Sequence, residues 1–195
     1  MPTTTGTVTL RSRAVDDSAN IETPGPGRSV SIMSRTCPCS IWDNSVTPSV
    51  PAVSDATANE LGLKFRTDTA GYITGVRFYK GTGNTGTHVA HLWTNAGVLL
   101  ASATFVSETA SGWQQVTFAT PVSITANTTY VASYHTNVGQ YGVTDPFFTV
   151  GVDNAPLHAL QSGVDGPNGV YLYGASAFPN QTFDTSNYWV DVVFK

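Results

Sequence analysis

The stretch that decides the fold is YITGVRFYK (residues 72–80), followed by THVAHLWT (87–94), VLLASATF (98–105), GWQQVTFA (112–119) and TTYVASYHT (128–136). Each piece is short and rich in Val, Thr, Ile and aromatic residues, and Gly, Asn or Pro closes it. No window shows the apolar period of an amphipathic helix. The stretch therefore predicts consecutive antiparallel strands, a β-meander.

Similar patterns continue on both sides of this meander. Leu61, Leu63 and Phe65 alternate with Gly62 and Lys64, which predicts a strand with one buried and one solvated face. A last strand is predicted near the C-terminus, over residues 187–194. Eight to ten such strands predict an all-β, two-sheet antiparallel sandwich of jelly-roll type. The long irregular stretch 139–185 would then be a loop region suited to binding.

The N-terminal part has a different composition. Residues 3–10 and 29–33 are each compatible with a strand, but 11–28 is polar and ends in PGPG. We therefore expect 1–33 to be a linker or tail and 34–195 to be the sandwich domain.

Composition excludes some classes of function. The 195 residues are 41% hydrophobic but only 11% charged, and the net charge is −4. The basic patch of a nucleic-acid-binding protein is missing, and no apolar run reaches the roughly 18 residues of a membrane span. A surface of Thr, Ser, Asn and Gly favours an extracellular module. For a secreted chain, the signal peptide is expected upstream of these residues.

No catalytic motif is found. There is no GxSxG nucleophile motif and no HExxH motif, and His88 and His91 should lie on opposite faces of one strand. We therefore expect neither an enzyme nor a zinc site. A polysaccharide hydrolase with a carboxylate pair in the loops, including acids such as Asp145 or Asp165, is a lesser alternative.

The chain has two cysteines, Cys37 and Cys39. Their spacing allows a small disulfide ring in an oxidising compartment. Two free, inert thiols and a redox-active pair are the other interpretations.

Aromatic residues in and near the loops are the main candidates for ligand binding. Aromatic faces stack on the C–H faces of sugar rings while neighbouring polar groups bind the hydroxyls. Each candidate has an alternative role, packing beneath a loop or between the sheets. The candidates are Trp93, Tyr141, Tyr171, Tyr173 and Phe178.

Three acids form a candidate calcium site. Glu60 and Asp191 are predicted on the solvated faces of the first and last core strands, which are neighbours in many sandwiches. With Asp55 and loop carbonyls they would offer the oxygen ligands that Ca²⁺ prefers. Ordinary surface acids are the alternative.

Several ordered motifs resemble a known family. GYITGVRFYK (71–80), LWT (92–94), GWQQVTF (112–118), YVASYHT (130–136) and NYWVDVVF (187–194) together resemble the DUF4082 domain family, and CPCSIW (37–42) is similar to its opening. The resemblance covers about residues 34–194. It implies an accessory module of secreted, multidomain bacterial proteins. RAVDDSANIE (13–22) is similar to the end of a neighbouring Ig-like domain.

The resemblance implies no activity and no catalytic residue. The leading hypothesis is a non-catalytic, carbohydrate-binding module that targets a secreted or cell-surface protein to a glycan, beside neighbouring domains of the same chain. The alternative from another class is a structural spacer or adhesion module that contacts protein partners.

Overall fold

The computed structural model describes residues 6–32 and 36–195. The chain divides into two compact units, Met1–Thr36 and Cys37–Lys195. In the first unit, β1 (Gly6–Leu10) pairs antiparallel with β2 (Arg28–Ile32). The two strands agree with those predicted at 3–10 and 29–33. Residues 3–5 and 33, and the predicted domain boundary between 33 and 34, lie outside the described residues.

The second unit is built from strands, as the sequence predicts. Among the described residues no helix could span a membrane. The strands are β3 (Asn59–Thr67), β4 (Gly71–Lys80), β5 (His88–Thr94), β6 (Leu99–Thr104), β7 (Gly112–Ile124), β8 (Tyr130–Thr136), β9 (Val152–Asn154), β10 (Leu157–Ala159), β11 (Val170–Tyr173), β12 (Gln181–Thr182) and β13 (Val190–Phe194).

These strands form two antiparallel sheets. The large sheet has the order β12-β11-β3-β8-β5-β6, and β10 pairs with β3 beyond the end of β11 and with β9 on its other side. The small sheet has the order β13-β4-β7. The chain passes between the sheets at β3–β4, β4–β5, β6–β7, β7–β8 and β12–β13, as in a jelly roll. The all-β sandwich predicted from the sequence is confirmed.

Alternate residues of the two sheets meet in one core. Phe78 of the small sheet stacks on Tyr134 of the large sheet, with ring centroids 4.1 Å apart. Phe105 packs edge-on against Phe78 at 4.8 Å. Leu61, Leu63 and Phe65 are buried in this core, as their alternation predicts. Burial of such side chains stabilises the fold by roughly 1.5–3 kcal/mol each.

The outer face of the small sheet is covered by residues 37–46, which we call the covering chain. Trp42 of this covering chain packs against Trp113 of β7 and against Trp189, with ring centroids 6.5 and 5.8 Å apart. Cys37 and Cys39 form a disulfide at the start of the covering chain, and Cys39 pairs through its backbone with Phe194 of β13.

The prediction that Glu60 and Asp191 lie on solvated faces is wrong. Both face away from the core, as their parity predicts, but both are fully buried. The covering chain encloses Asp191. A loop that follows β11 approaches Glu60, and its Ser176 hydroxyl lies 2.9 Å from the Glu60 carboxylate.

The last strand is shorter than predicted. It begins at Val190 rather than Asn187, because Asn187 pairs instead with Thr144 in an isolated bridge. Trp189 has a positive φ of 54°, which interrupts the extended backbone. This turn places Tyr188 at the edge of the sandwich, beside β11.

Candidate functional site

Four tyrosines form a continuous array at the edge of the sandwich. The ring centroids of Tyr173 and Tyr171 are 5.4 Å apart, those of Tyr171 and Tyr188 are 6.1 Å apart, and those of Tyr188 and Tyr141 are 5.8 Å apart. Every pair is edge-to-face, the arrangement that aromatic quadrupoles favour. We call these four residues the tyrosine array. It unites three of the five aromatic residues that the sequence predicts for binding.

Backbone pairing between distant segments builds the array. Tyr171 and Tyr173 lie on β11, which pairs with β3 along Asn59–Gly62. Tyr141 is fixed by a backbone hydrogen bond from the Val53 N–H to its carbonyl oxygen (2.9 Å). Gly139 allows this approach, because a Cβ there would collide with the Asp55 carbonyl oxygen and its φ is +70°.

The array lines a cleft of about 230 Å³. This volume is below the roughly 300–1,000 Å³ of enclosed small-molecule sites, so the cleft suits a short segment of a longer ligand. Phe183 and Tyr173 are 61% and 48% exposed and are the aromatic lining residues most open to solvent. The cleft is lined by Val53, Tyr141, Val143, Asp145, Tyr171, Tyr173, Phe183, Ser186 and Tyr188.

The polar groups of the cleft are phenols and carboxylates. The Tyr173 hydroxyl donates to Asp55 Oδ2 at 3.1 Å. Burial raises the pKa of Tyr141 and of Tyr188, and burial and the bond to Asp55 raise the pKa of Tyr173. Burial also opposes ionisation of Asp55. Hydrogen bonds from Thr57, Tyr173 and Tyr141 outweigh this effect and lower the pKa of Asp55. At neutral pH the phenols are therefore donors and Asp55 is an ionised acceptor.

Trp93 and Phe178 lie elsewhere. They belong to a small apolar cluster with Val131 and Val170 on the outer face of the large sheet. Trp93 is only 7% exposed, and Phe178 packs edge-on against it at 5.7 Å. Val170 and Tyr171 are successive residues of β11, so their side chains point to opposite faces. A separate shallow cleft of about 180 Å³ is lined in part by Phe178.

The three predicted calcium ligands are not brought together. Asp55 caps the Thr57 N–H at 2.9 Å and binds Tyr173, while Glu60 and Asp191 lie on the outer faces of opposite sheets. Among residues 6–32 and 36–195, no group of three or more His, Cys, Asp or Glu side chains is arranged to hold a metal ion.

A third cleft, of about 410 Å³, surrounds His158 of β10. The imidazole lies between two carboxylates, with Nε2 2.8 Å from Asp68 and Nδ1 2.7 Å from Asp153. Burial opposes protonation, but these two hydrogen bonds outweigh it and raise the pKa of His158. The group forms an ion-pair network that joins β10 to β9 and to the end of β3.

The chain matches a known protein family. The family described as "Domain of unknown function (DUF4082)" matches residues 45–190, about three quarters of the chain. The chain belongs to the DUF4082 family. No curated protein matches it. The matched range of this DUF4082 domain contains the whole cleft of the tyrosine array.

Sequence reasoning missed part of the DUF4082 cleft. Tyr188 is predicted as an ordinary strand residue, and Phe183 has no pattern that distinguishes it. Both are placed by the turn before β13, where Asp184, Thr185 and Trp189 have positive φ. A run of polar and aromatic residues (QTFDTSNYW, 181–189) is the one local signal that could have indicated an irregular segment.

Proposed function

We propose that this DUF4082 domain binds carbohydrate in the cleft of the tyrosine array and acts as a targeting module of a secreted or cell-surface bacterial protein. The convergence of Tyr141, Tyr171 and Tyr173 from separate segments into one cleft carries this proposal. It is supported by the low charge of the chain and by the Cys37–Cys39 disulfide, which fits an oxidising compartment.

Apolar contact would come from the exposed rings. Tyr173 and Phe183 offer aromatic surface at the mouth of the cleft, and the C–H face of a pyranose ring matches such a surface. The edge-to-face packing of Tyr173 on Tyr171 fixes the Tyr173 ring before a ligand arrives, which limits the entropy lost on binding. A shallow site of this size gives modest affinity, so tethering to other modules would supply avidity.

Polar contact would come from the phenols and acids. Asp145 lines the cleft and offers carboxylate acceptors, and the phenol oxygens of the array can also accept hydrogen bonds from sugar hydroxyls. No Lys, Arg or His is present among the nine lining residues, all of which the structure describes. The cleft therefore suits neutral or amino sugars and disfavours polymers of uronic acid.

The test is a pull-down of the full chain on insoluble neutral, amino and uronic polysaccharides. Tyr173→Ala should reduce retention at least about tenfold, because it removes an exposed aromatic ring from the mouth of the cleft. Tyr72→Ala is the matched control, since Tyr72 is 51% exposed on β4 and does not line the cleft. Equal retention of the two variants would contradict the assignment of the site to this cleft. If neither the unchanged chain nor a variant is retained, the domain is better explained as a structural spacer.

A further inference from the structure

Three side chains on the outer face of the large sheet lie in an order that runs from solvent to interior. Ser176 is exposed on the loop after β11, His91 is 7% exposed and Glu60 is fully buried. His91 Nδ1 is 2.9 Å from Glu60 Oε1, and His91 Nε2 is 3.5 Å from Ser176 Oγ. A hydroxyl, an imidazole and a carboxylate in this sequence form the constellation that activates a serine nucleophile.

The carboxylate of Glu60 is held by further donors. The Ser133 hydroxyl donates to Glu60 Oε1 at 2.5 Å, and Trp93 Nε1–H donates to Ser133 Oγ at 2.7 Å. His135 Nδ1 lies 3.6 Å from Glu60 Oε2. An unpaired buried carboxylate is costly, and this network fixes Glu60 in one orientation beneath His91. Neither Glu60 nor His91 lines the cleft of the tyrosine array.

The Ser176 hydroxyl has two acceptors. Its oxygen lies 2.9 Å from Glu60 Oε2, to which it donates, and 3.5 Å from His91 Nε2. Rotation about the Cβ–Oγ bond redirects the proton to His91 without movement of any heavy atom. When Nδ1–H donates to Glu60, Nε2 is free to accept that proton, and such contacts are commonly long before a substrate binds.

The geometry points to a second site in this chain, at which Ser176 is a nucleophile, His91 its general base and Glu60 the positioning residue for His91, with esters of small carboxylic acids as substrates. This activity goes beyond glycan binding and does not depend on it. Ser176 and Ala177 are exposed, and within the described residues their backbone N–H groups donate to no protein acceptor. These two N–H groups are the donors that we assign to an oxyanion, a role that backbone N–H groups serve in such sites.

The reaction is a hydrolysis in two steps. Ser176 Oγ bonds to the acyl carbon as its proton moves to His91 Nε2, the ester C–O bond breaks, and His91 returns the proton to the departing alkoxide. A water molecule then bonds to the acyl carbon and gives a proton to His91. The bond from Ser176 Oγ to the acyl carbon breaks, and Oγ recovers that proton. The sum is ester plus water giving carboxylic acid plus alcohol.

The surroundings of Ser176 define the class of ester. Ser176 is exposed on the loop after β11 and lines none of the three clefts described above. Its neighbours Ala175 and Ala177 are small and uncharged. An acetyl or similar short acyl group on an alcohol that stays in solvent fits this exposed hydroxyl.

The experiment uses the full chain with p-nitrophenyl acetate and, separately, with a fluorophosphonate probe whose adduct is located by peptide mass spectrometry. We expect nitrophenol release at least about tenfold faster than for Ser176→Ala, and an adduct on Ser176. Ser123→Ala is the control, because Ser123 is an exposed serine on β7 of the other sheet. It should behave as the unchanged chain does.

Further variants separate catalysis from a structural role. His91→Gln keeps a side-chain donor toward Glu60 but removes the base, and it should lose the adduct while its circular dichroism spectrum is unchanged. Because His91 is buried, Ser176→Ala, on the surface, decides the outcome if His91→Gln fails to fold. Release that is equal in the unchanged chain and Ser176→Ala, or the absence of an adduct on Ser176, would overturn the assignment. Polysaccharide retention by Ser176→Ala should be unchanged, so the two proposals fail independently.

Discussion

The guanidinium of Arg77 lies 3.7 Å from the carboxylate of Asp191, its cross-strand partner on the outer face of the small sheet. Asp191 also accepts hydrogen bonds from the backbone N–H groups of Ile41 (2.8 Å) and Trp42 (3.2 Å). Burial raises the pKa of Asp191 to about 6 against the opposing effect of these partners, so the carboxylate is ionised at neutral pH. One buried carboxylate therefore fastens the covering chain to the sheet.

Asp191→Asn should destabilise the fold strongly at pH 7. The amide has one acceptor oxygen instead of two, and it leaves Arg77 buried without a counter-charge. We expect a loss of about 3 kcal/mol in the free energy of unfolding, measured by denaturant titration. Asp184→Asn is the control, because Asp184 is exposed and Asn tolerates its positive φ. Equal stability of the two variants would contradict this account of the buried pair.

The strands of the meander were predictable because they depend on local pattern. Their ends agree with the predicted ones within two residues, except that β7 continues to Ile124 through Pro121. Proline closes most strands because it lacks an N–H, but β7 is at the edge of the small sheet, where no further strand requires that donor. Whether a strand can contain proline therefore depends on its position in the sheet, and the local sequence does not reveal that position.

The candidate site was predictable only in part, for the same reason. Alternation assigns Glu60 and Asp191 to the outer faces of their strands, but it does not tell whether another segment covers a face. Tyr141, Tyr171 and Tyr173 were candidates as loop aromatics. Their convergence depends on pairing between β11 and β3 and between Val50 and Val143. These partners are far apart in sequence, so no local pattern indicates them.

His158 should make stability dependent on pH. Because its folded pKa is raised, its ion pairs stabilise the fold fully below the unfolded pKa of about 6.5, and this contribution is lost as pH rises through the higher folded pKa. His158→Gln should therefore cost more stability at pH 5 than at pH 9. Asp153 is largely exposed, so we expect a difference below about 1 kcal/mol.

The measurement is the difference in free energy of unfolding between the unchanged chain and His158→Gln at the two pH values. Asp68 and Asp153 form the ion pairs with the imidazole, and Arg66 is the cross-strand partner of His158. Repeating the comparison in high salt should reduce the difference, because salt screens exposed ion pairs. If His158→Gln lowers the free energy of unfolding more at pH 9 than at pH 5, the ion-pair network does not stabilise the fold through protonated His158.

The charge of the cleft should set which polysaccharides are retained. Asp145→Asn removes one negative charge from the lining. The like-charge repulsion removed is about 1 kcal/mol, so retention on a uronic-acid polymer should rise about fivefold while retention on a neutral polymer changes little. Asp165→Asn is the control, since it changes net charge equally at a residue outside the cleft. A rise of the same size in both variants would show that net charge, rather than the cleft, controls retention.

Calcium should not stabilise the fold through Asp55, Glu60 and Asp191. Glu60 and Asp191 are enclosed on opposite outer faces and their oxygens already accept hydrogen bonds. Asp55 is bound to Thr57 and Tyr173. A cation would have to break one of these networks and draw together carboxylates from two sheets. The thermal unfolding midpoint in calcium and in chelator should therefore differ by less than about 1 °C. A larger shift that Asp55→Asn abolishes would mean that the Asp55 carboxylate, with backbone oxygens, binds the ion.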